Sequence, residues 1–423
     1  MAKEYDQTKG HLASVTTQLG NNHNKIESQA RESQKLQSTI DLLSKEKAKL
    51  EADSAANLAA ERSVAKAQMA VRVSETNTLI LEANKKLSLV RKQRDAAKLS
   101  AEQYSNQLQS IFKSDGRVWE TPCVNPPAFV PRGPEGRRAA IIAVVNLKGG
   151  VGKTTVSARL GATLAQTSQV LAIDLDYQHS LSDLCLTAAQ WKLTKQSGRF
   201  IENVFASERP SADRLLECIQ LCDKSALQIV PSDERLAEIE QQVMAKWMVA
   251  PDGPDARFLL RSSLHDPQVS SKFDWIILDC PPRLTTACVN AIAAADYVII
   301  PVLLEPTSAS AVPRILKWLR TWKSGRFMIC PNLEVLGVMP NKTRLSTRLT
   351  KTEDNIRKSQ LPSGCHQSWG IEVPFFPHPI WQSQKLTDNA HSKKLLSCSD
   401  DLDAVFRDTV NHIRKQVPVY ERA

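Results

Sequence analysis

One short segment restricts the fold of this chain more than any other: a glycine-rich run between a predicted strand and a predicted helix. Residues 146–155 read NLKGGVGKTT, after the apolar stretch AAIIAVV and before a helical pattern from Val156 to Ala165. Closely spaced glycines let the backbone turn its N–H groups toward a polyphosphate, and the helix adds the positive end of its dipole. Lys153 is expected to reach the β- and γ-phosphates, and the Thr154 hydroxyl is expected to occupy one coordination position of Mg²⁺. The sequence therefore predicts a phosphate loop.

The chain after residue 138 has the pattern of an α/β fold. Apolar, β-branched runs occur at AAIIAVVN, QVLAIDLD, ALQIVPS, FDWIILD, DYVIIPV and EVLGVMPN, and helical patterns lie between most of them. Continuous hydrophobicity is typical of strands that are buried on both faces. We therefore predict that residues 139–423 form a P-loop NTPase-like α/β domain with a mainly parallel sheet flanked by helices.

The octet KGGVGKTT (148–155) resembles the deviant Walker A motif of the ParA/MinD family of ATPases, because a second lysine, Lys148, opens it. Two further blocks agree with this resemblance. LAIDLDYQ (171–178) looks like the second-strand motif of the family, and FDWIILDCPP (273–282) resembles its Walker B strand. This chain departs from the family pattern at two positions. In the second-strand motif, Tyr177 stands in place of the family's proline, and after the two prolines of the Walker B block, Arg283 stands in place of the usual small residue. The likeness extends from about Ala139 to Val417.

The resemblance implies ATP and Mg²⁺ as cofactors, a homodimer that closes on ATP, and roles for individual residues. Lys148 would reach across the dimer interface to the other subunit's nucleotide, and Asp176 would orient or deprotonate the attacking water. The catalytic set is Lys148, Lys153 and Asp176, and the metal set is Thr154, Asp174 and Asp279. The nucleotide-binding set is Lys148, Gly149, Gly150, Val151, Gly152, Lys153, Thr154 and Thr155, with Asn341 and Pro377 as candidate contacts to the base.

The first 113 residues are predicted to form a helical coiled-coil arm. The first 110 or so contain no proline, cysteine or tryptophan, and the positions Leu36, Ile40, Leu43, Lys47 and Leu50 follow the spacing of a coiled-coil seam. A second run in another register begins at Leu87. Because charged residues interrupt both runs, pairing is expected to be weak or to depend on a partner, and a lone solvated helix is the alternative. Residues 114–138, which carry five prolines in DGRVWETPCVNPPAFVPRGPEGRR, are predicted to be a linker.

Positive charge points to an acidic partner. The formal net charge is +10, and residues 311–361 carry eleven Lys/Arg against three Asp/Glu. In the predicted helix TRLSTRLTKTEDNIRKSQL, the positions Arg344, Arg348, Lys351 and Lys358 lie on one face, a pattern suited to DNA phosphates without sequence readout. An ordinary solvated face is the alternative. The DNA surface would then lie on Arg314, Lys317, Arg320 and Lys323, or on Arg414 and Lys415.

The cellular setting follows from what the sequence lacks. Nine cysteines lie at irregular spacing without a C-x-x-C pair, which favours reduced thiols in a cytoplasmic protein. The N-terminus has no apolar signal region and no 18-residue apolar run occurs, which argues against secretion and against a membrane span. On the ParA resemblance, the ATP-bound form would associate with the nucleoid.

The expected function is a ParA-like ATPase that partitions or positions a cargo. It would dimerise on ATP, bind DNA non-specifically and be released when a ParB-like or other partner protein stimulates hydrolysis. Two alternatives remain open at this level: a MinD-like ATPase that cycles on and off a membrane, and an ATP-switched scaffold whose arm associates with itself or with a partner helix. The same ATPase could also regulate a defence or secretion system. The sequence does not identify the cargo or the partner.

Overall fold

The computed structural model describes residues 2–56, 62–113, 118–121, 129–130, 132, 138–207, 211–249, 253–324, 327–341, 349–380, 396 and 402–418. By contact the chain divides into two units. One is built mainly of residues 1–113, and the other of residues 114–247 and 252–423.

The first unit is a helical hairpin. Helices α1 (Ala2–Ala56) and α2 (Arg62–Lys113) pack through Ile40, Ala83 and Leu87, with Leu36 and Ile80 beside them. Gln29 Nε2 also donates to Gln93 Oε1 at 3.5 Å. Because early residues of α1 meet late residues of α2, the helices run antiparallel. The alternative of a lone helix is therefore wrong, since the apolar seam of α1 pairs within the chain.

The second unit is built on one seven-stranded sheet. The strands are β1 (Ala140–Val144), β2 (Val170–Asp174), β3 (Gln220–Leu221), β4 (Gln228–Val230), β5 (Trp275–Asp279), β6 (Tyr297–Val302) and β7 (Glu334–Pro340). Their order is β3-β4-β2-β5-β1-β6-β7, and every neighbouring pair is parallel except β3 with β4. All residues of β1, β2, β5 and β6 are buried. The predicted mainly parallel sheet is confirmed.

Helices cover the sheet. They are α3 (Lys153–Leu164), α4 (Ser180–Cys185), α5 (Ala188–Ser197), α6 (Glu202–Phe205), α7 (Ala212–Glu217), α8 (Leu236–Val249), α9 (Leu259–Leu264), α10 (Pro267–Ser270), α11 (Thr286–Ala294), α12 (Pro306–Ala309), α13 (Ala311–Lys323), α14 (Lys351–Asn355), α15 (Leu361–Trp369) and α16 (Leu402–Gln416). A 3₁₀ turn spans Val118–Glu120 and a π turn spans Ile356–Gln360.

The last helix closes the core. Phe406, Val410 and Ile413 of α16 are buried in the same apolar cluster as β1, β2 and α3. The buried guanidinium of Arg159 on α3 pairs with Asp403 at 3.0 Å and lies over the Phe406 ring. The C-terminal helix is therefore part of the domain core.

The described part of the predicted linker packs within the second unit. Trp119 stacks on Trp247 with ring centroids 5.8 Å apart, and Arg257 Nη1 donates to the Trp119 carbonyl at 3.1 Å. Farther along, the buried Arg138 guanidinium pairs with Asp296, next to the start of β6. Trp119 and Arg138 therefore anchor the described parts of this segment.

Seven cysteines lie in the described residues, and all seven are buried and free, as expected of reduced thiols that fill a core. Within the described ranges, none of the helices combines the length and the apolar character that crossing a bilayer requires.

Candidate nucleotide site

The loop between β1 and α3 has the backbone that a phosphate cradle needs. Gly150 has φ 75° and Gly152 has φ 88°, left-handed values that side chains rarely adopt. A Cβ added at Gly149 or Gly150 would meet nothing within 4 Å, so the loop faces open space on that side. Helix α3 begins at Lys153, and no side chain of the described residues caps its first N–H groups. These free donors at a helix N-terminus fit a polyphosphate.

Two asparagines fix the loop. Asn146 Nδ2 donates to the Pro301 carbonyl at 2.7 Å, and its Oδ1 accepts from the Lys148 N–H at 2.9 Å. Asn341, buried just after β7, donates from Nδ2 to the Val151 carbonyl at 2.7 Å. Recognition of the base by Asn341 stays a prediction; its observed role, which the sequence did not indicate, is to hold the phosphate loop.

The two lysines of the loop have different surroundings. Lys153 is buried, and its Nζ donates to the Lys148 carbonyl at 3.3 Å. Burial lowers the pKa of Lys153, and the neighbouring carboxylates, Asp279 foremost, oppose that effect. The Lys148 side chain is 32% exposed, and its Nζ lies 2.9 Å from Thr307 Oγ1 and 3.7 Å from Glu305 Oε2. One lysine thus points into the cradle, whereas the other lies at its outer rim.

Two buried aspartates meet beside the loop. In the parallel register of β2 and β5, Asp174 lies directly opposite Asp279. Asp279 Oδ1 accepts from Ser157 Oγ at 2.8 Å and also interacts with the Thr154 hydroxyl. Asp174 Oδ2 accepts from the N–H and Oγ of Ser182 at 2.8 and 2.7 Å. The sequence did not indicate the roles of Ser157 and Ser182.

Burial raises the pKa of Asp279 to about 7, and the charge of Asp174 adds to this effect. Burial likewise raises the pKa of Asp174 to about 6. Mg²⁺ is usually held by one or two protein carboxylates together with phosphate oxygens and water. Asp279 and Thr154 fit that pattern, and no set of three or more His, Cys, Asp or Glu side chains is arranged for a metal in the described residues. A bound Mg²⁺ would neutralise phosphate charge here.

Asp176 lies two residues beyond β2, at the same carboxyl edge of the sheet. Its side chain is half-buried; Oδ1 accepts from the Gln178 N–H at 3.1 Å, and its carbonyl accepts from Ser232 Oγ at 2.7 Å. The carboxylate is therefore held beside the predicted metal aspartates while remaining partly accessible. His179, in the same turn, has φ 45° and bonds Asp183 through Nδ1 at 3.1 Å.

Pro377 belongs to a segment that runs alongside β7. The Phe376 N–H donates to the Val338 carbonyl at 3.0 Å, and the Ile380 N–H donates to the Pro340 carbonyl at 2.9 Å. These bonds bring the segment to the edge of the sheet from which Asn341 extends. Contact of Pro377 with the base stays a prediction.

The predicted basic helix differs from the structure. Arg344 and Arg348 lie outside the described residues. The helix begins at Lys351, because Thr350 is extended and forms a capping box with Glu353, and the π turn then interrupts it. The prediction of one continuous helix from Arg344 to Lys358 is therefore wrong. Lys351 and Lys358 are exposed, but Lys358 Nζ pairs with Asp354 at 2.9 Å.

Comparison with known proteins agrees with this geometry. Residues 139–333 match a protein-family model described as an AAA domain. The chain is 28% identical over 253 residues to the chromosome partitioning protein ParA of Caulobacter vibrioides, covering 57% of this chain and 85% of that protein. It is 30% identical over 225 residues to an uncharacterized protein of Methanocaldococcus jannaschii, covering 53% of this chain and 81% of the relative.

Two further relatives extend the comparison. The sporulation initiation inhibitor protein Soj of Bacillus subtilis is 30% identical over 187 residues, which cover 43% of this chain and 64% of Soj. Among solved structures, McdA of Cyanothece in complex with ATP superposes with a TM-score of 0.53 at 19% identity, over 68% of this chain and 100% of McdA. The structural likeness shows the fold, and the sequence relatives together with the phosphate loop show that the chain belongs to the family of ParA-type partition ATPases.

Proposed function

We propose that this protein is an ATPase that closes as a homodimer on ATP, binds DNA non-specifically and positions a cargo, with hydrolysis stimulated by a partner protein. The observation that supports this best is that the two lysines of the loop have different positions: Lys153 is buried, whereas Lys148 is partly exposed. A monomeric phosphate site needs only the buried Lys153. Lys148 lies at the rim, held by Thr307 and Glu305, where an exposed ion pair contributes only about 0–1 kcal/mol and is easily exchanged.

Each residue of the site has a separate role in hydrolysis. Lys153 and the N–H groups of the loop bind the phosphates, and Thr154 with Asp279 would hold Mg²⁺, which would withdraw charge from the phosphate oxygens. Asp176 orients the attacking water and accepts its proton. Lys148 leaves Thr307 and reaches the nucleotide of the other subunit, so that turnover is slow until the dimer closes.

The test is to separate nucleotide binding from dimerisation. Lys153→Ala should abolish binding of a fluorescent ATP analogue, because the phosphate charge loses its buried counter-ion. Lys148→Ala should keep binding in the monomer but fail to dimerise with a non-hydrolysable analogue in sedimentation velocity runs. Lys224→Ala, an exposed lysine between β3 and β4, is the control and should behave as the parent. Normal dimerisation of Lys148→Ala would refute the cross-interface role.

For DNA, the outer face of α13 offers a better surface than the predicted stripe. This helix carries four Lys/Arg and no Asp/Glu, and Arg314, Lys317 and Arg320 are exposed. Lys317 and Arg320 border a shallow cleft of about 400 Å³ between α13 and α15, together with Thr321, Ser324, Gln367 and Ser368. Hydroxyl, amide and cationic donors of this kind are suited to phosphate oxygens. The cationic Lys323 is less available, since its Nζ bonds the Leu333 carbonyl.

The two candidate DNA surfaces can be compared directly. Arg314→Glu combined with Lys317→Glu should lower affinity for any duplex and reduce the salt dependence of log affinity by about 2 per subunit, since each phosphate contact contributes roughly 0.9. Lys351→Glu combined with Lys358→Glu should change the slope less, because Lys358 already has an acidic partner. Equal slopes for the parent and the first double variant would place the DNA surface elsewhere.

The arm supports a scaffold role within the same proposal. Outside the seam, the hairpin exposes large apolar side chains: Leu42 on α1 and Val71, Leu79, Leu81, Leu89 and Leu99 on α2. Such residues favour contact with a partner helix or with a second arm.

The MinD-like alternative is less well supported, because the apolar face of α16 is buried in the core. Co-sedimentation with liposomes, with and without ATP, would test it. We place the protein in the cytoplasm, on the nucleoid when ATP is bound.

A further inference from the structure

A buried glutamate outside the phosphate motifs holds the start of α11. Glu240 lies within α8 and is 7% exposed. Its Oε1 accepts a hydrogen bond from the Ala287 N–H at 2.6 Å, and its carboxyl group also bonds the Thr285 side chain. The Glu240 carbonyl accepts from Thr286 Oγ1 at 3.2 Å. One residue of α8 therefore binds three successive residues at the amino end of α11.

The segment immediately before α11 is the one that follows the metal aspartate. Asp279 ends β5 and is fixed by Ser157, and only residues 280–285 separate it from α11. Two prolines stiffen this stretch, and Arg283 in it is exposed. Because the segment starts at the carboxyl edge of β5, it borders the place where the terminal phosphate would lie. Asp279 fixes one end of it, and Glu240 fixes the other.

The charge of Asp176, the predicted water-orienting residue, acts on the Glu240 carboxyl group. Burial, with a smaller contribution from the charge of Asp176, raises the pKa of Glu240 to about 7. The hydrogen bonds that Thr285 and Ala287 donate work in the opposite direction and favour the ionised form.

We propose that Glu240 is a positioning residue for hydrolysis: through Thr285 and Ala287 it holds segment 280–285 where the attacking water must be aligned. It has no part in nucleotide affinity, which depends on the phosphate loop. The inference rests on the proposed ATPase function and adds to it a residue that neither contacts the phosphate loop nor belongs to its motifs.

The test compares Glu240→Ala with Glu240→Gln in the full-length protein. The glutamine oxygen can still accept from the Ala287 N–H, whereas alanine leaves that donor buried and without an acceptor. Glu240→Ala should lower kcat about tenfold, with the affinity for a non-hydrolysable ATP analogue within twofold of the parent. Glu240→Gln should restore most of the turnover. Glu202→Ala is the matched control, because Glu202 is also buried and accepts a backbone N–H, that of Asp233 at 2.8 Å, away from α11.

Hydrogen exchange gives a readout that does not need turnover. The amides of residues 283–288 should exchange faster in Glu240→Ala than in the parent or in Glu240→Gln, with other amides unchanged. A parent protein without any ATP hydrolysis would refute the proposed function, and the exchange data would still decide whether Glu240 fixes the segment. Unchanged kcat and exchange in Glu240→Ala would overturn the inference. So would equal losses in the alanine, glutamine and Glu202→Ala variants, which would show a general loss of stability.

Discussion

The contact between Gly152 and Asn341 allows one perturbation to be worked out in detail. A Cβ at Gly152 would lie 1.9 Å from Asn341 Nδ2, and the residue has φ 88°. Gly152→Ala therefore combines backbone strain of about 1–2 kcal/mol with displacement of the Asn341 amide. That displacement breaks the bond to the Val151 carbonyl, at about 1–3 kcal/mol for a buried group. We expect a loss of about 2–5 kcal/mol in the free energy of unfolding.

Two neighbouring glycines separate these contributions. Gly150→Ala has the strained φ of 75° without any atom within 4 Å, so it should cost only about 1–2 kcal/mol. Gly149→Ala has neither feature and should change stability by less than about 0.5 kcal/mol. The free energy of unfolding can be measured by urea unfolding followed by tryptophan fluorescence. All eight tryptophans lie after residue 113 and therefore report on the second unit.

A double-mutant cycle gives the refuting result. In an Asn341→Ala background the clash is gone, so Gly152→Ala should cost no more than Gly150→Ala does in the parent. If Gly152→Ala is equally destabilising with and without the asparagine side chain, the contact with Asn341 does not explain the loss. The role of Asn341 in holding the loop would then be wrong.

Three further predictions follow from the site and the fold. Asp176→Ala should lower turnover by ~10²–10⁴-fold while the ATP-bound dimer accumulates, whereas Asp183→Ala should not; turnover within a few-fold of the parent would refute the role of Asp176. Burial raises the pKa of Glu202 to about 8 from an ordinary 4.5, so its contribution to stability is lost as pH rises from about 4.5 to about 8, by at most about 5 kcal/mol. In thermal melts, Glu202→Gln should remove this pH dependence of stability, and the stability of the variant relative to the parent should increase with pH. A protein of residues 114–423 should keep the basal ATPase rate, since the phosphate loop and its two buried aspartates belong to the second unit; loss of nucleotide binding would refute this.

Features that depend on local order along the chain could be predicted from the sequence. Parallel strands buried on both faces are continuously apolar, and all six predicted strands are present. Among the strands of the described residues, the two-residue β3 alone was missed. The phosphate loop is a strand, a glycine turn and a helix in succession, so its position could be read directly. Asp174 and Asp279 follow from the same logic, because the carboxyl ends of neighbouring parallel strands meet at one edge of the sheet.

The distant residues that support that site could be identified only from the folded structure. Asn341 holds Val151 across 190 positions, and Glu240 bonds Ala287 across 47. Trp119 anchors the predicted linker on Trp247, and the seam of α1 finds its partner in α2. The physical reason is common to these cases: spacing along the chain encodes faces and turns, whereas a hydrogen bond or ring contact between remote segments exists only once the sheet has brought them together.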